Sequence, residues 1–246
     1  MSKLRAPEPG PKRVRVYLGG ELVADSMSVL LVWEIPHYAQ YYIPVADVHA
    51  QLVPTGTRTH SPSRGEATHY TVKTAHHTAE DAAWQYVDSR LDDIRGYVRF
   101  DWDAMGGWFE EDEEVFTHPR SPYARIDILE SSRHVRVVVA GVTVAESNHP
   151  KLLFETGLPV RFYLPKLDVR MDLLVPTDTD SHCPYKGTAR YWSVQAGDSL
   201  VADIAWSYPT PLPESQKVAG LVSFYNEHVD ITVDGEALER PHTPFS

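Results

Sequence analysis

The chain of 246 residues is predicted to be mainly β: two tandem copies of one compact antiparallel unit with short helical turns. Three observations carry that expectation. Most segments are short, alternate apolar with polar residues, are rich in Val, Tyr and Trp, and lie between turn residues, which suits a half-buried pleated surface. Helical patterning is confined to one or two turns. The chain also matches itself at a nearly constant spacing, and a repeat of that kind sets the architecture.

Residues 1–12 read as a flexible tail, basic and proline-rich, with no apolar run of the kind a signal peptide or anchor needs. Val14–Leu18 then alternates, turns at Gly19-Gly20 and returns through Leu22–Asp25, a β-hairpin whose glycines supply positive φ. The same pattern recurs 121 residues later as Val135–Val139, Ala140-Gly141 and Thr143–Ser147. Leu31-Val32-Trp33-Glu34 matches Leu152-Leu153-Phe154-Glu155, Tyr42-Ile43-Pro44 matches Tyr163-Leu164-Pro165, and Asp47-Val48 matches Asp168-Val169. One inserted residue moves the spacing to 122, at which His60, Pro62 and Gly65 match His182, Pro184 and Gly187. Asp81, Ala83-Trp84 and Tyr86 match Asp203, Ala205-Trp206 and Tyr208, and Gly96 and Phe100 match Gly220 and Phe224 at 124. The copies span roughly 13–118 and 133–240, with a linker and an added strand over 119–132 and a tail at 241–246. Arg125–Glu130 alternates and is expected to supply that strand to the second copy. Short helices are expected at Lys166–Met171 and Glu214–Val218, each preceded by a proline.

Composition narrows the function classes. The net charge of −11 disfavours a nucleic-acid partner, because phosphates demand a basic surface. No stretch approaches the roughly 18 apolar residues of a membrane span. A single cysteine makes neither an internal disulfide nor a four-thiolate zinc site, and a reducing cytoplasm is the simplest compartment. The 12 histidines form no CxxC or HxxxH pattern, so no metal or other cofactor is expected. His76-His77 reads as an exposed hairpin tip, and Glu110–Glu114 as a solvated acidic edge.

Glu155-Thr156-Gly157-Leu158-Pro159, Tyr163-Leu164-Pro165, His182-Cys183-Pro184-Tyr185-Lys186-Gly187, Tyr191-Trp192-Ser193-Val194, Ala205-Trp206-Ser207-Tyr208 and Phe224-Tyr225 resemble the bacterial and fungal domain family DUF427. The second copy matches over nearly its whole length. The first matches in outline and lacks the Cys-Pro-Tyr-Lys run. The resemblance implies a β-tent, or Mss4-like, fold of the kind seen in methionine sulfoxide reductase B and the ligand-binding domain of cereblon. It implies no particular activity. The family's nucleotidyltransferase-like label finds no support, since Asp92-Asp93 and Asp178-Thr179-Asp180 lack the Gly-Ser and Asp-x-Asp setting that holds magnesium.

The candidate chemistry centres on the second copy. Glu155 ends an apolar run and precedes a turn, so it is expected at the mouth of the core, where a carboxylate can act as acid or base. Glu34/Glu155, Asp47/Asp168 and Asp81/Asp203 are shared acidic positions, for which a turn cap or an ion pair is favoured over a site role, Glu155 being the exception. Cys183 is either a nucleophile or an inert small hydrophobe, and Ser61 in its place means the fold does not require the thiol. Lys186 completes the catalytic set of Glu155, Cys183 and Lys186. Tyr163, Arg170, His182, Tyr185, Tyr191, Trp192, Trp206 and Tyr208 are the ligand-binding candidates, and Arg170, Arg161 or Lys186 suits an anionic group. Aromatic, carboxylate and ammonium groups around one hollow describe a small-molecule binding module, with the first copy degenerate or regulatory. Two other readings stay open: an enzyme acting on a small polar metabolite, and a structural or interaction protein.

Overall fold

The computed structural model describes residues 5–36 and 38–243. Among the described residues strand accounts for 53% and helix for 7%, so the protein is mainly β. The chain divides into two compact units, residues 1–121 and 122–246. Each contains eleven strands among the described residues, and all their ladders are antiparallel.

In the first unit the strands are β1 (Glu8–Pro9), β2 (Val14–Leu18), β3 (Glu21–Ser26), β4 (Leu30–Val32), β5 (Gln40–Pro44), β6 (Gln51–Ser61), β7 (Gly65–Lys73), β8 (Thr78–Gln85), β9 (Tyr97–Phe100), β10 (Gly107–Glu110) and β11 (Glu113–Glu114). They form a seven-stranded sheet, β1-β4-β5-β9-β8-β7-β6, and a four-stranded one, β11-β10-β2-β3. The second unit repeats the series as β12 (Ile126–Glu130), β13 (Val135–Val139), β14 (Val142–Ser147), β15 (Lys151–Glu155), β16 (Arg161–Tyr163), β17 (Leu174–Cys183), β18 (Gly187–Ala196), β19 (Ser199–Ser207), β20 (Ser223–Phe224), β21 (Asp230–Val233) and β22 (Glu236–Ala237). Its strand orders are β12-β15-β16, β17-β18-β19-β20 and β14-β13-β21-β22. A single bridge, Leu164 to Val222, stands where β5 pairs with β9 in the first unit, so the two units share one topology.

The repeat extends to fine detail. The β2–β3 turn has φ of 58° and 83° at Gly19 and Gly20, and the β13–β14 turn has 46° and 82° at Ala140 and Gly141. Positive φ at both central residues is what a tight hairpin with right-handed twist requires. Asp81 and Asp203 have φ of 53° and 48° and sit at irregularities where the β7–β8 and β18–β19 registers shift. Asp203 accepts hydrogen bonds from the Thr177 and Thr179 hydroxyls, both at 2.7 Å, and Asp81 accepts one from Thr55 at 3.2 Å. Asp47 and Asp168 each accept the hydroxyl of Ser26 or Ser147 at 2.5 Å. These two acidic pairs hold local backbone.

Three regions differ from the sequence reading. Residues 8 and 9, expected in a flexible tail, pair with Leu31 and Leu30, because the apolar edge of β4 otherwise lacks a partner. Residues 1–4 and 244–246 of the expected tails lie outside the described residues. Glu110 is not a solvated edge residue: it is buried, ion-paired with Lys12, and accepts hydrogen bonds from the Tyr41 hydroxyl and the Arg120 backbone N–H. Burial of a carboxylate is tolerable because those donors replace its water. The expected helices form as short 3-10 segments: Lys166–Asp168, Met171–Leu173 and Pro213–Val218.

Each unit has a large core and a smaller one, and in the second unit the smaller is rich in aromatic rings. The second unit's large core gathers Val135, Val137, Leu152, Phe162, Leu164, Val194, Ala205 and Phe224, among others. Its smaller core gathers Ile128, Leu153, Tyr163, Ala189, Tyr191, Trp206, Tyr208 and Val218. Period-two alternation sends Leu152 to the first and Leu153 to the second.

Candidate functional site

The smaller core of the second unit carries the candidate site. Glu155 and Leu153 are two apart on β15 and so lie on one face, as do Ala189 and Tyr191 on β18. Tyr163 ends β16, and Trp206 stands opposite Tyr191 in the β18–β19 ladder. The β17–β18 turn closes at Cys183 and Gly187, where φ at Gly187 is 93°, a value glycine reaches without a Cβ penalty. That turn brings Lys186 back over the sheet, where its ammonium donates to Glu155 Oε2. Both side chains are 11% exposed, so this ion pair is largely withdrawn from water.

Aromatic rings surround it. Tyr163 and Trp206 meet edge to face at 6.3 Å, and the Tyr163 hydroxyl accepts the Trp206 indole N–H at 3.2 Å. Trp206 lies 4.5 Å from the Tyr225 ring, and the Tyr191 and Tyr225 hydroxyls share a 3.2 Å hydrogen bond. Ser181 extends that chain to Tyr191 at 2.7 Å. Burial raises the Tyr163 phenol above its ordinary range, with the Glu155 charge adding to the effect. Burial does the same to Tyr208, helped by Tyr163, Cys183, Tyr191 and Glu155. These hydroxyls therefore stay protonated and neutral.

A second ion pair borders the rings. Arg161 lies 5.6 Å from both the Trp206 and Tyr225 ring centres. It donates two parallel hydrogen bonds to Glu227, at 2.6 and 2.7 Å, and a third to Asn226 Oδ1 at 3.2 Å. Burial pushes the Glu227 carboxyl up, but the Arg161 and Thr243 hydrogen bonds outweigh that and hold it at about 2. Arg161, expected from the sequence to suit an anionic group, holds the carboxylate of Glu227, a residue absent from the sequence-based candidates. The Asn226-Glu227 dipeptide after Phe224-Tyr225 was the available signal.

Of the residues singled out from sequence, Glu155, Lys186, Tyr163, Tyr191, Trp206 and Tyr208 come together. Cys183 is partly buried at the end of β17, close enough to influence Tyr163 and Tyr208 electrostatically. Tyr185 is half-buried in the same turn, and its carbonyl accepts the Ser215 hydroxyl at 3.2 Å. Three residues lie elsewhere. Trp192 is on the opposite face of β18 from Tyr191, packs against the large core and faces the Lys166 ammonium at 5.8 Å. Arg170 is exposed and paired with Asp172. His182 is exposed and bonded to the Thr188 hydroxyl at 3.0 Å. Among the described residues, no three His, Cys, Asp or Glu side chains assemble into a metal-holding group.

The family model NTP_transf_9, "Domain of unknown function (DUF427)", matches residues 6–111 and again residues 127–235. The chain belongs to this family. It is a tandem DUF427 protein. No curated protein matches it significantly.

The first DUF427 repeat carries a counterpart of the site. Glu34 stands for Glu155, Arg64 for Lys186, Tyr42 for Tyr163, Trp84 for Trp206 and Tyr86 for Tyr208. The Tyr42 hydroxyl donates to Glu34 Oε1 at 2.7 Å, and both burial and the Glu34 charge push its phenol up. Arg64 stacks over Tyr86 at 5.5 Å, with its Nε 3.8 Å from Glu34. Both DUF427 repeats thus keep a shielded carboxylate, a cation and a tyrosine on the small aromatic core.

Proposed function

We propose that the second DUF427 repeat binds a small molecule at the cluster of Glu155, Lys186, Tyr163, Tyr191, Trp206 and Tyr208. The observation that carries this reading is the Glu155–Lys186 pair. A largely buried ion pair is poor value for stability, since a well-packed apolar pair of similar volume is often as good or better. A carboxylate–cation pair is nevertheless present in both repeats, and in each it lies among aromatic rings. Aromatic walls with a few polar groups suit a ligand with a planar apolar body and a polar edge. Glu155 would accept a donor, and Lys186 and the protonated tyrosines would donate.

The test is a thermal-shift screen of the full chain against cellular metabolites, because a ligand that binds the folded state raises its melting temperature. A hit should shift wild type and fail to shift Lys186→Ala. A shift of equal size in both proteins would remove the ligand from this cluster. The position of Cys183 at the end of β17, in the same turn as Lys186 and within electrostatic reach of Tyr163 and Tyr208, favours an enzymatic second reading, on a small polar metabolite. In that case Cys183→Ser and Glu155→Gln should slow turnover of the substrate found, and full activity in both variants would discard the named chemistry.

A further inference from the structure

We propose that the first repeat holds an oxyanion-binding site built on Arg64 and Arg99, which takes the carboxylate or phosphate group of a small ligand. The inference rests on a charge balance that differs between the repeats. In the second, each cation beside the aromatic core has its own carboxylate: Lys186 has Glu155, and Arg161 has Glu227. In the first, Arg64 and Arg99 share Glu34.

Register shows how this arose. Arg99 stands opposite Trp84 in the β8–β9 ladder, where Ser223 stands opposite Trp206 in β19–β20. The arginine therefore enters the aromatic core from β9, with its guanidinium 4.2 Å from the Trp84 ring centre. Arg161, its functional counterpart, enters from β16, where the first repeat has Gln40 at the 121-residue spacing. Position 103, which matches Glu227 at the 124-residue spacing, is an exposed aspartate in a turn. The carboxylate that would satisfy a second arginine is thus absent from its place.

Arg99 and Arg64 are 13% and 12% exposed, and their Nε atoms approach Glu34 only to 3.4 and 3.8 Å. Both Nε atoms are buried without a hydrogen-bond partner. Glu34 has already taken the Tyr42 hydroxyl at 2.7 Å. His69 stacks on Trp84 at 5.5 Å and has its Nδ1 3.3 Å from Asp81, whose side chain is 48% exposed and so screened by water. Arg64 Nη1 donates to the Ser63 hydroxyl at 3.3 Å, but two planar guanidiniums with one shared carboxylate still leave both buried Nε–H groups unpaired and a surplus of positive charge. Guanidinium donors match the fork of a carboxylate or phosphate.

Isothermal titration calorimetry of the full chain at low salt, with sodium phosphate and separately with sodium acetate, tests the assignment. At least one anion should bind saturably, once per chain. Phosphate alone binding would identify a phosphate ligand, and acetate alone a carboxylate. Arg99→Ser, which installs the second repeat's residue, should weaken binding at least about tenfold, and Glu34→Gln should tighten it by about tenfold, as expected for one charge at close range. The exposed Arg190→Ala is the control and should change nothing. Absence of saturable binding by either anion, no loss in Arg99→Ser, or no gain in Glu34→Gln overturns the proposal. The gain matters because a misfolded variant does not bind more tightly. None of these readouts depends on Lys186, so the reading of the second repeat stands or falls separately.

Discussion

In the second repeat Arg161 lies against Trp206 and is gripped by Glu227 and Asn226; in the first, Arg99 lies against Trp84 and shares Glu34 with Arg64. The scaffold is the same, yet the cation reaches the tryptophan from different strands and finds different company. The comparison teaches that the first repeat is not simply a worn copy. It lacks the Cys-Pro-Tyr-Lys run and has His69 where the second has Tyr191, but it keeps the carboxylate, Tyr42, Tyr86 and the tryptophan, and with one carboxylate fewer it carries a surplus of positive charge among them.

The largest expected effect comes from breaking the gripped arginine. Glu227→Ala leaves Arg161 buried without its carboxylate and should cost about 3–5 kcal/mol in urea unfolding. Asp103→Ala, at the matching position of the first repeat, should stay within about 0.5 kcal/mol. Equal losses would mean that the two arginines are held alike. Next comes Lys186→Ala, which strands Glu155 and should cost about 2–4 kcal/mol. Lys186→Arg, which copies Arg64, should recover most of that. Acid should sharpen the contrast. Glu227 has a folded value near 2 against an ordinary 4.5, so its stabilisation is complete above about 4.5 and drains away as pH falls toward 2. Glu227→Gln should flatten stability in that window, measured by thermal melts between pH 5 and pH 2. A smaller difference is expected at the left-handed aspartates. Both changes relieve a positive φ; Asp203→Gly loses two hydroxyl donors and should cost about 1–2 kcal/mol, whereas Asp81→Gly loses one longer hydroxyl bond and a half-exposed contact with His69 and should cost less than about 1 kcal/mol. The smallest is Cys183→Ser, which copies Ser61 and should shift stability by less than about 1 kcal/mol.

Much of the architecture was legible in the sequence, because a duplicated chain displays its own register. The hairpin turns, the shared glycines and the 121-, 122- and 124-residue spacings follow from backbone demands that composition cannot disguise. The site was legible in part. Glu155 and Lys186 were visible as reactive groups, but their contact depends on how far the β17–β18 turn curls back, which no local pattern encodes. Trp192 was grouped with Tyr191 by proximity in sequence, although strand neighbours face opposite ways. Arg170 and Asp172 are two residues apart and satisfy each other locally, which draws Arg170 out of any site. Arg161 and Glu227 are separated by 66 positions, and only the folded sheet brings them together.

One further consequence concerns where a single repeat begins. β12, drawn from residues that precede the second β-hairpin, pairs along the whole of β15 from Lys151 to Glu155. A gene fragment started at residue 133 would strip that partner and leave a bare apolar edge, inviting fibrils or sticky dimers. Started at residue 122, the boundary of the compact unit, it would carry its own cover and should express as an independent half.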